Sequence, residues 1–311
     1  QPAYKELEAL FKEKNIPYII VMNKSDLPAA DQSMTAAVPA EQDAQNIIRV
    51  SAETGENIYE LKELIGKIAG AQKNEKQLVG DLIEPGDIIV LVTPIDESAP
   101  KGRMILPQQQ MIRDVLDNGA INIVVKETEL AAALASLKQK PKMVITDSQA
   151  FGKVSHIVPD DILLTSFSIL FARYKGELEE AVRGAAMLDR LCDGDKVLIS
   201  EGCTHHRQCN DIGTVKLPGW IDSYTGKKLE YEFTSGREFP DDPSEYALVV
   251  HCGACMLTER EMRSRIQRSC AAGVPITNYG IAIAQIHGIL KRSLSPFPSL
   301  KDIIDKDQIF I

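Results

Sequence analysis

Two short motifs rich in cysteine and histidine constrain this chain most, because each directly follows an apolar, β-branched run. The first is Cys203-Thr204-His205, after residues 197–199, and the second is His251-Cys252-Gly253-Ala254-Cys255, after residues 247–250. If the two runs are neighbouring parallel strands, both motifs leave from strand carboxyl ends, where open α/β sheets bind ligands. The sequence therefore predicts that residues far apart in the chain converge at one edge of a parallel sheet.

The side chains of these motifs are typical metal ligands. Thiolate suits iron–sulfur clusters, zinc and copper(I), and imidazole suits zinc and iron. The spacing of Cys252 and Cys255 lets two sulfurs from one short loop reach a single metal or cluster. Thr258 and Glu261 predict a capping box that opens a helix there, and a positive helix end favours thiolates. The spacing fits iron–sulfur and zinc equally well.

Other residues around the motifs are predicted to have smaller roles. Three arginines of the following helix, Arg263, Arg265 and Arg268, could add to this positive field, but they are expected to be solvated charges on its surface. His206 and Cys209 lie close to the first motif and could replace a motif ligand. Cys192 and Cys270 stand in helical contexts among apolar neighbours and are expected to be small core residues.

A second pair of motifs lies in the first 72 residues, again after two predicted strands. Residues 16–22 run into Asn23-Lys24-Ser25-Asp26, and residues 47–50 run into Ser51-Ala52. The Asp26 carboxylate can accept both edge donors of guanine, and the stem of Lys24 can lie over the ring. Backbone N–H groups of the Ser51-Ala52 turn can meet the guanine oxygen. This segment resembles the last third of a Ras-like GTPase domain.

The phosphate-binding half of such a domain is not found in these 311 residues, which contain no GxxxxGK[ST] loop. We therefore expect this chain not to hydrolyse GTP unaided. It begins with Gln1 rather than Met, so we expect a fragment that lacks the front of its GTPase domain.

The middle of the chain, residues 81–191, alternates strand and helix patterns, which predicts a small parallel sheet covered by helices. Strands are predicted at residues 87–93, 121–125, 143–147 and 162–165. Pro107 and Gly119 are predicted to open and close one helix, and Thr128 to cap the next. No catalytic constellation is found here. A dimerisation role is expected, with an alanine-rich helix in residues 177–191 packing on a second copy.

The last part, residues 193–311, holds the metal motifs, with an irregular excursion over the site predicted at residues 218–243. The whole chain is thus predicted to be α/β with three domains, residues 1–72, 81–191 and 193–311. The net charge of −9 argues against a nucleic-acid surface. No apolar run reaches the ~20 residues of a membrane span and no signal peptide opens the chain, so a cytoplasmic protein is expected.

Taken together, the GTPase-like segment, the small α/β domain and the Cys-x-His…His-Cys-x-x-Cys pattern resemble the HydF family of [FeFe]-hydrogenase maturation GTPases. The resemblance implies that Cys203, Cys252 and Cys255 bind a [4Fe–4S] cluster in the third domain. It implies that His205 and His251 are further ligands or hydrogen-bond donors beside them.

The resemblance also implies a homodimer that carries a di-iron subcluster precursor to the apo [FeFe]-hydrogenase. The expected partners include two radical-SAM maturation enzymes, and the full-length protein is expected to bind GTP and GDP. The alternative hypothesis is a zinc enzyme or a zinc-binding, GTPase-linked regulatory module, because Cys3His or Cys2His2 ligation satisfies tetrahedral zinc.

Overall fold

The computed structural model describes residues 2–13, 16–27, 46–70, 77–95, 104–175, 178–202 and 211–307. The chain divides into two compact units, residues 1–75 and residues 76–311. Within the described residues, no helix is both long and apolar enough to cross a membrane.

The first unit contains two short parallel strands and two helices. These are α1 (Pro2–Glu13), β1 (Ile20–Met22), β2 (Ile47–Arg49) and α2 (Ile58–Gly70). The strands pair with Ile20 opposite Ile47, and the backbone N–H of Val50 extends the ladder to the Met22 carbonyl at 2.9 Å. Strand β1 is shorter than the predicted residues 16–22, since Pro17 has no N–H to donate to a ladder.

The second unit begins with a four-stranded parallel sheet, as predicted. Its elements are β3 (Ile88–Val92), α3 (Leu106–Asp117), β4 (Ile121–Val125), α4 (Leu130–Ser136), β5 (Met143–Thr146), α5 (Phe151–Ile157), β6 (Leu163–Ser166) and α6 (Phe167–Lys175). The strand order is β4-β3-β5-β6. Pro107 lies in the first turn of α3, and Gly119, at φ +72°, follows its end, as predicted. The predicted Thr128 cap is wrong: the N-cap of α4 is the next residue, Glu129, and its side chain makes no capping hydrogen bond.

The central strand β3 explains why helices cover both faces of this sheet. Val90 and Val92 face one hydrophobic core, Ile89 and Leu91 face the other, and all four are 0% exposed. Successive side chains of a strand point to opposite faces, so a strand that is apolar at every position must be covered on both.

The rest of the second unit forms a second four-stranded parallel sheet. Its elements are α7 (Leu178–Ala186), β7 (Lys196–Ser200), α8 (Leu217–Thr225), β8 (Glu230–Thr234), β9 (Leu248–His251), α9 (Glu259–Ala271), β10 (Ile276–Asn278), α10 (Tyr279–Ile286), α11 (Leu290–Ser293) and α12 (Pro298–Asp307). The strand order is β10-β9-β7-β8. Ser200 of β7 lies opposite His251 of β9. The prediction that these two runs are neighbouring parallel strands is confirmed.

The predicted irregular excursion at residues 218–243 is wrong in its first half. That stretch contains most of α8 and all of β8, which pairs in parallel with β7 along five residues. In β8, the half-buried Tyr231 and the exposed Phe233 alternate with Glu230 and Glu232. The alternating pattern suits an edge strand, although the glycines and prolines around it are typical of a loop.

Helix α7 was expected to pack on a second copy, but its small residues are already buried within the chain. Ala181, Val182 and Ala185 are at most 9% exposed, and the Ala181 carbonyl accepts a 2.7 Å hydrogen bond from the Thr277 hydroxyl of β10. Gly184 meets the backbone of Ile276, so closely that a side chain there would clash with the carbonyl group.

We predict that Gly184→Ala destabilises the second unit, because the added methyl group forces α7 away from β10. The expected loss is about 1–3 kcal/mol, typical of overpacking. Gly152→Ala is the matched control, since Gly152 lies in helix α5 with open space around it; it should be neutral or stabilising. Urea unfolding followed by the fluorescence of the single tryptophan, Trp220, measures both. Equal midpoints for the two variants would contradict the close contact.

Candidate metal centre

The candidate site lies where the strand order of the last sheet reverses. The chain goes from β7 to β8 on one side of β7, and then to β9 on the other side. The loops that leave the carboxyl ends of β7 and β9 therefore diverge, and such a point is where open parallel sheets bind ligands. Cys252 is the first residue after β9, and Glu201 and Gly202 are the first after β7.

Backbone amides from both loops hold the sulfur of Cys252. Its Sγ accepts hydrogen bonds from Gly202 N at 3.0 Å and from Ala254 N at 3.4 Å. The Cys252 N–H donates to the Ser200 carbonyl at 2.9 Å, which extends the pairing of β7 with β9 by one residue. Hydrogen bonds to sulfur favour its charged form, so this cysteine is prepared to act as a thiolate ligand.

Cys255 belongs to the same turn, residues 252–255, called the CxxC turn from here on. Cys255 is exposed, and Cys252 is partly exposed. Cys192 and Cys270 are also exposed, so the expectation that these two are small core residues is wrong. The other predicted ligands, Cys203 and His205, lie outside the described residues, as do His206 and Cys209. Among the described residues, no three potential ligands come together as a metal-binding group.

Helix α9 begins beside the CxxC turn. The Thr258 hydroxyl accepts a hydrogen bond from the Glu261 N–H at 3.2 Å, which is the predicted cap. The Glu261 carboxylate, expected to complete a capping box, instead pairs with Arg265 at 2.9 Å. The positive end of this 13-residue helix thus follows shortly after the CxxC turn in the chain.

Arg265 is fully buried, so the expectation that it is a solvated helix charge is wrong. Its guanidinium donates to Glu261, to His251 Nε2 at 3.1 Å and to the Gly236 carbonyl at 2.8 Å, and lies 5.2 Å from the centre of the Phe239 ring. Arg268 is also partly buried. It donates a hydrogen bond to the Phe239 carbonyl, and its Cζ lies 4.9 Å from the centre of the Phe239 ring.

His251 is held as a neutral imidazole by two hydrogen bonds. Arginine can only donate, so Nε2 is the acceptor and Nδ1–H donates to the Cys252 carbonyl at 2.8 Å. Burial, together with the charge of Arg265, lowers the pKa of His251 to about 4. Both ring nitrogens are engaged, so in this arrangement His251 supports the CxxC turn rather than offering a free nitrogen to a metal.

A buried lysine, Lys175, lies behind the CxxC turn and was not predicted from the sequence. Its side chain comes from the last residue of α6, is 8% exposed, and donates to the carbonyls of Ala254 and Leu257. Burial lowers the pKa of this ammonium, while the sulfurs of Cys255 and Cys252 raise it. A lysine at the end of a helix usually interacts with the helix dipole, so no sequence pattern distinguishes this one.

A small, mainly apolar cavity of about 30 Å³ lies beside this lysine. Its wall includes Phe171 and Ala172 of α6, the CxxC turn, and Met262 and Ile266 of α9.

Glu201, another residue that the motifs did not single out, is 3% exposed at the end of β7 and accepts a 3.4 Å hydrogen bond from the Tyr279 hydroxyl. Burial and this carboxylate raise the pKa of Tyr279.

In the first unit, the two predicted guanine-binding loops lie side by side. Asn23 Oδ1 accepts a hydrogen bond from the Ala52 N–H at 3.0 Å, and the Ser25 N–H donates to the Val50 carbonyl at 3.0 Å. Lys24 has a φ of +67°, and Asp26 is exposed. The loop that follows the first strand is therefore fixed to the Ser51-Ala52 turn through the side chain of Asn23.

Comparison with protein-family models gives two matches within the second unit. Residues 78–176 match the hydrogen maturase F dimerization domain, and residues 179–296 match the hydrogen maturase F tetramerization domain. The chain belongs to the hydrogen maturase F (HydF) family. Its role is therefore in hydrogenase maturation, and both domain descriptions indicate self-association. Among curated proteins, no sequence matches the chain.

The two HydF domains correspond to the two four-stranded sheets. The dimerization match ends just after α6, and the tetramerization match begins within α7 and includes the CxxC turn. Helix α7 thus belongs with the sheet that carries the candidate site. Lys175 comes from the dimerization segment and reaches the turn in the tetramerization segment.

We predict that Arg265→Met lowers the free energy of unfolding by about 2–4 kcal/mol, because it leaves buried acceptors without a donor. The matched control is Arg263→Met on the same helix. Arg263 is 43% exposed and pairs with Glu259, and exposed pairs of this kind contribute only ~0.3–0.5 kcal/mol. Urea unfolding of the metal-free protein, followed by Trp220 fluorescence, measures both. If Arg265→Met were no more harmful than its control, the buried guanidinium would not hold the site together.

Proposed function

We propose that the chain is a scaffold that binds a [4Fe–4S] cluster through Cys203, Cys252 and Cys255 and holds a di-iron precursor for transfer to the apo-hydrogenase. The observation that carries the proposal is the sulfur of Cys252, which receives amide hydrogen bonds from both loops at the carboxyl ends of β7 and β9. The loop that donates through Gly202 continues directly into Cys203. Because Gly202 and Cys203 are consecutive residues, covalent geometry keeps their Cα atoms about 3.8 Å apart.

The residues around the turn fit an anionic, thiolate-bound group. Amide N–H groups and the N-terminus of α9 favour negative charge on the sulfurs. The ammonium of Lys175 adds a full positive charge on the inner side of the turn. Such donors and charges are the features that tune iron–sulfur sites.

When bound, a four-iron cluster with three cysteine ligands offers one iron whose remaining ligand can exchange. The chain's own contribution is to hold and orient. Arg265 and His251 fix the carbonyl of Cys252, Thr258 fixes the start of α9, and Lys175 fixes the other side of the turn. These contacts support a rigid ligand set that keeps its shape while cargo is loaded and released.

The proposed guanine site consists of Asn23, Lys24, Asp26, Ser51 and Ala52. The hydrogen bond from the Ala52 N–H to Asn23 supports it, since it brings the two loops together as base recognition requires. We propose that this segment contributes to GTP and GDP binding in the full-length protein. The proposed partners remain the apo-hydrogenase and the two radical-SAM maturation enzymes, in the cytoplasm.

Zinc is the second candidate for the metal centre, because the same cysteines and His205 would satisfy tetrahedral coordination. A regulatory zinc module would need neither an exchangeable position nor iron. The two functions therefore differ in a property that can be measured directly, the identity of the bound metal.

We predict that protein reconstituted anaerobically with iron and sulfide turns brown and that Cys252→Ser loses most of this absorption. The matched control is Cys192→Ser, whose cysteine is exposed at the amino end of β7, on the far side of the sheet. The control should keep the iron. Metal analysis that finds one zinc and no iron in purified protein, with no colour after reconstitution, would refute the cluster.

We also propose that the exposed edge of the first four-stranded sheet mediates self-association. Strand β4 forms one edge, where Ile121 is 50% exposed and Val124 is 42% exposed. The other edge strand, β6, is partly covered, because the hydroxyl of Ser295 bonds to both the N–H and the carbonyl of Leu164. An apolar edge strand without cover pairs readily with another chain, and β4 lies in the dimerization segment.

We predict that Val124→Lys weakens the dimer, because a charge on the edge strand opposes pairing. The control is Ile65→Lys, which places the same charge at a residue 50% exposed on α2 of the first unit. Size-exclusion chromatography with light scattering, over a range of protein concentrations, should show a larger monomer fraction only for Val124→Lys. If the dimer were equally strong in both variants, the interface would have to lie elsewhere.

A further inference from the structure

We propose that Lys175 is a positioning residue for the CxxC turn, whose buried ammonium holds the turn in its ligand-binding shape and places a positive charge beside both sulfurs. The inference rests on the proposed cluster-binding function and extends it to a residue outside the cysteine and histidine motifs. Lys175 comes from α6, in the dimerization segment, so the contact joins the two HydF domains at the metal site.

The hydrogen bonds of Lys175 fall on the two carbonyls that shape the turn. The Leu257 N–H donates to the Ala254 carbonyl at 3.1 Å, and the ammonium donates both to that carbonyl and to the Leu257 carbonyl, the latter at 3.1 Å. Ala254 has a φ of +51°, a left-handed conformation that is costly for a residue with a Cβ. An external contact must hold it there, and the ammonium of Lys175 is well placed to do so.

The charge of Lys175 also needs an explanation, because burying an ammonium is unfavourable unless negative charge or hydrogen bonds compensate for it. Within the part of the chain that the structure describes, its hydrogen bonds go to backbone carbonyls, which offer dipoles only. The groups that can become anionic and that raise the pKa of this ammonium are the thiols of Cys255 and Cys252. A thiolate-bound cluster would therefore supply the missing negative charge.

The apolar surroundings of Lys175 strengthen the electrostatic effect of its charge. The cavity beside the turn has mainly apolar walls, including Phe171, Ala172 and Ile276. A charge acts more strongly across apolar, weakly polarisable surroundings than across water. Removing the ammonium should therefore change the electronic properties of a bound cluster and not only the shape of the turn.

The experiment compares Lys175→Met, which keeps the length but removes the charge, with Lys175→Arg, which keeps the charge. Lys153→Met, at an exposed lysine of α5, is the control. Two readouts are used on the full chain. Hydrogen–deuterium exchange of residues 252–258 is measured in metal-free protein, and the reduction potential is measured by redox titration with electron paramagnetic resonance in reconstituted protein.

In the metal-free protein, Lys175→Met should exchange these amides at least about tenfold faster than wild type, since loss of a charged donor frees the turn. In the reconstituted protein, the same variant should shift the reduction potential to a more negative value, because the added electron is no longer stabilised by a nearby cation. Lys175→Arg should remain closer to wild type in the potential, and Lys153→Met should be unchanged in both.

The outcomes separate this inference from the proposed function. Wild-type protein that takes up no iron–sulfur cluster would refute the proposed function. The hydrogen–deuterium exchange measurement would still test whether Lys175 holds the CxxC turn. A wild-type cluster whose potential is the same in Lys175→Met would refute the electrostatic role. Unchanged hydrogen–deuterium exchange in metal-free Lys175→Met would refute the role of Lys175 in holding the CxxC turn.

Discussion

The buried guanidinium of Arg265 is the interaction on which the candidate metal centre depends. It joins α9, the end of β9 and the segment after β8 at one point, through Glu261, His251 and Gly236. A buried arginine is tolerated only when its donors are matched, because each unmatched donor costs desolvation free energy. The matched donors in turn fix His251, and His251 fixes the carbonyl of Cys252. The position of the Cys252 carbonyl thus depends on a residue outside the cysteine motifs.

The topology explains why this network forms where it does. Both four-stranded sheets have the same arrangement, in which the first strand in the chain lies between the second and the third. Each sheet therefore has a point where neighbouring loops diverge. In the dimerization domain, that point lies between β3 and β5. In the tetramerization domain, it carries Glu201, Gly202 and Cys252. The two sheets therefore share one topology and differ in the residues at their strand ends.

The sequence was sufficient to predict the strands and the convergence of β7 and β9, because buried parallel strands are continuous apolar runs that need little context to be recognised. It also located the cap at Thr258, where a local hydrogen bond decides the outcome. It could not reveal that Arg265 and Lys175 are buried. In the sequence, Arg265 is one of four similar arginines on a polar helix. Its burial depends on Phe239 and Gly236, which are brought near only by the fold. Strand β8 was missed for a related reason, since an edge strand needs only a weak alternation of apolar and polar residues.

The hydrogen bonds of His251 also bear on which metal the site is built for. A zinc site of the Cys2His2 type would need an imidazole nitrogen as a ligand, and protein-only zinc sites are completed by four side chains. Using Nε2 of His251 would remove the acceptor of a fully buried guanidinium donor, at a cost of about 1–3 kcal/mol. Using Nδ1 would release the carbonyl that holds the turn. A set of three thiolates avoids both losses and leaves one coordination position open. The geometry around His251 therefore disfavours a zinc site that includes this histidine.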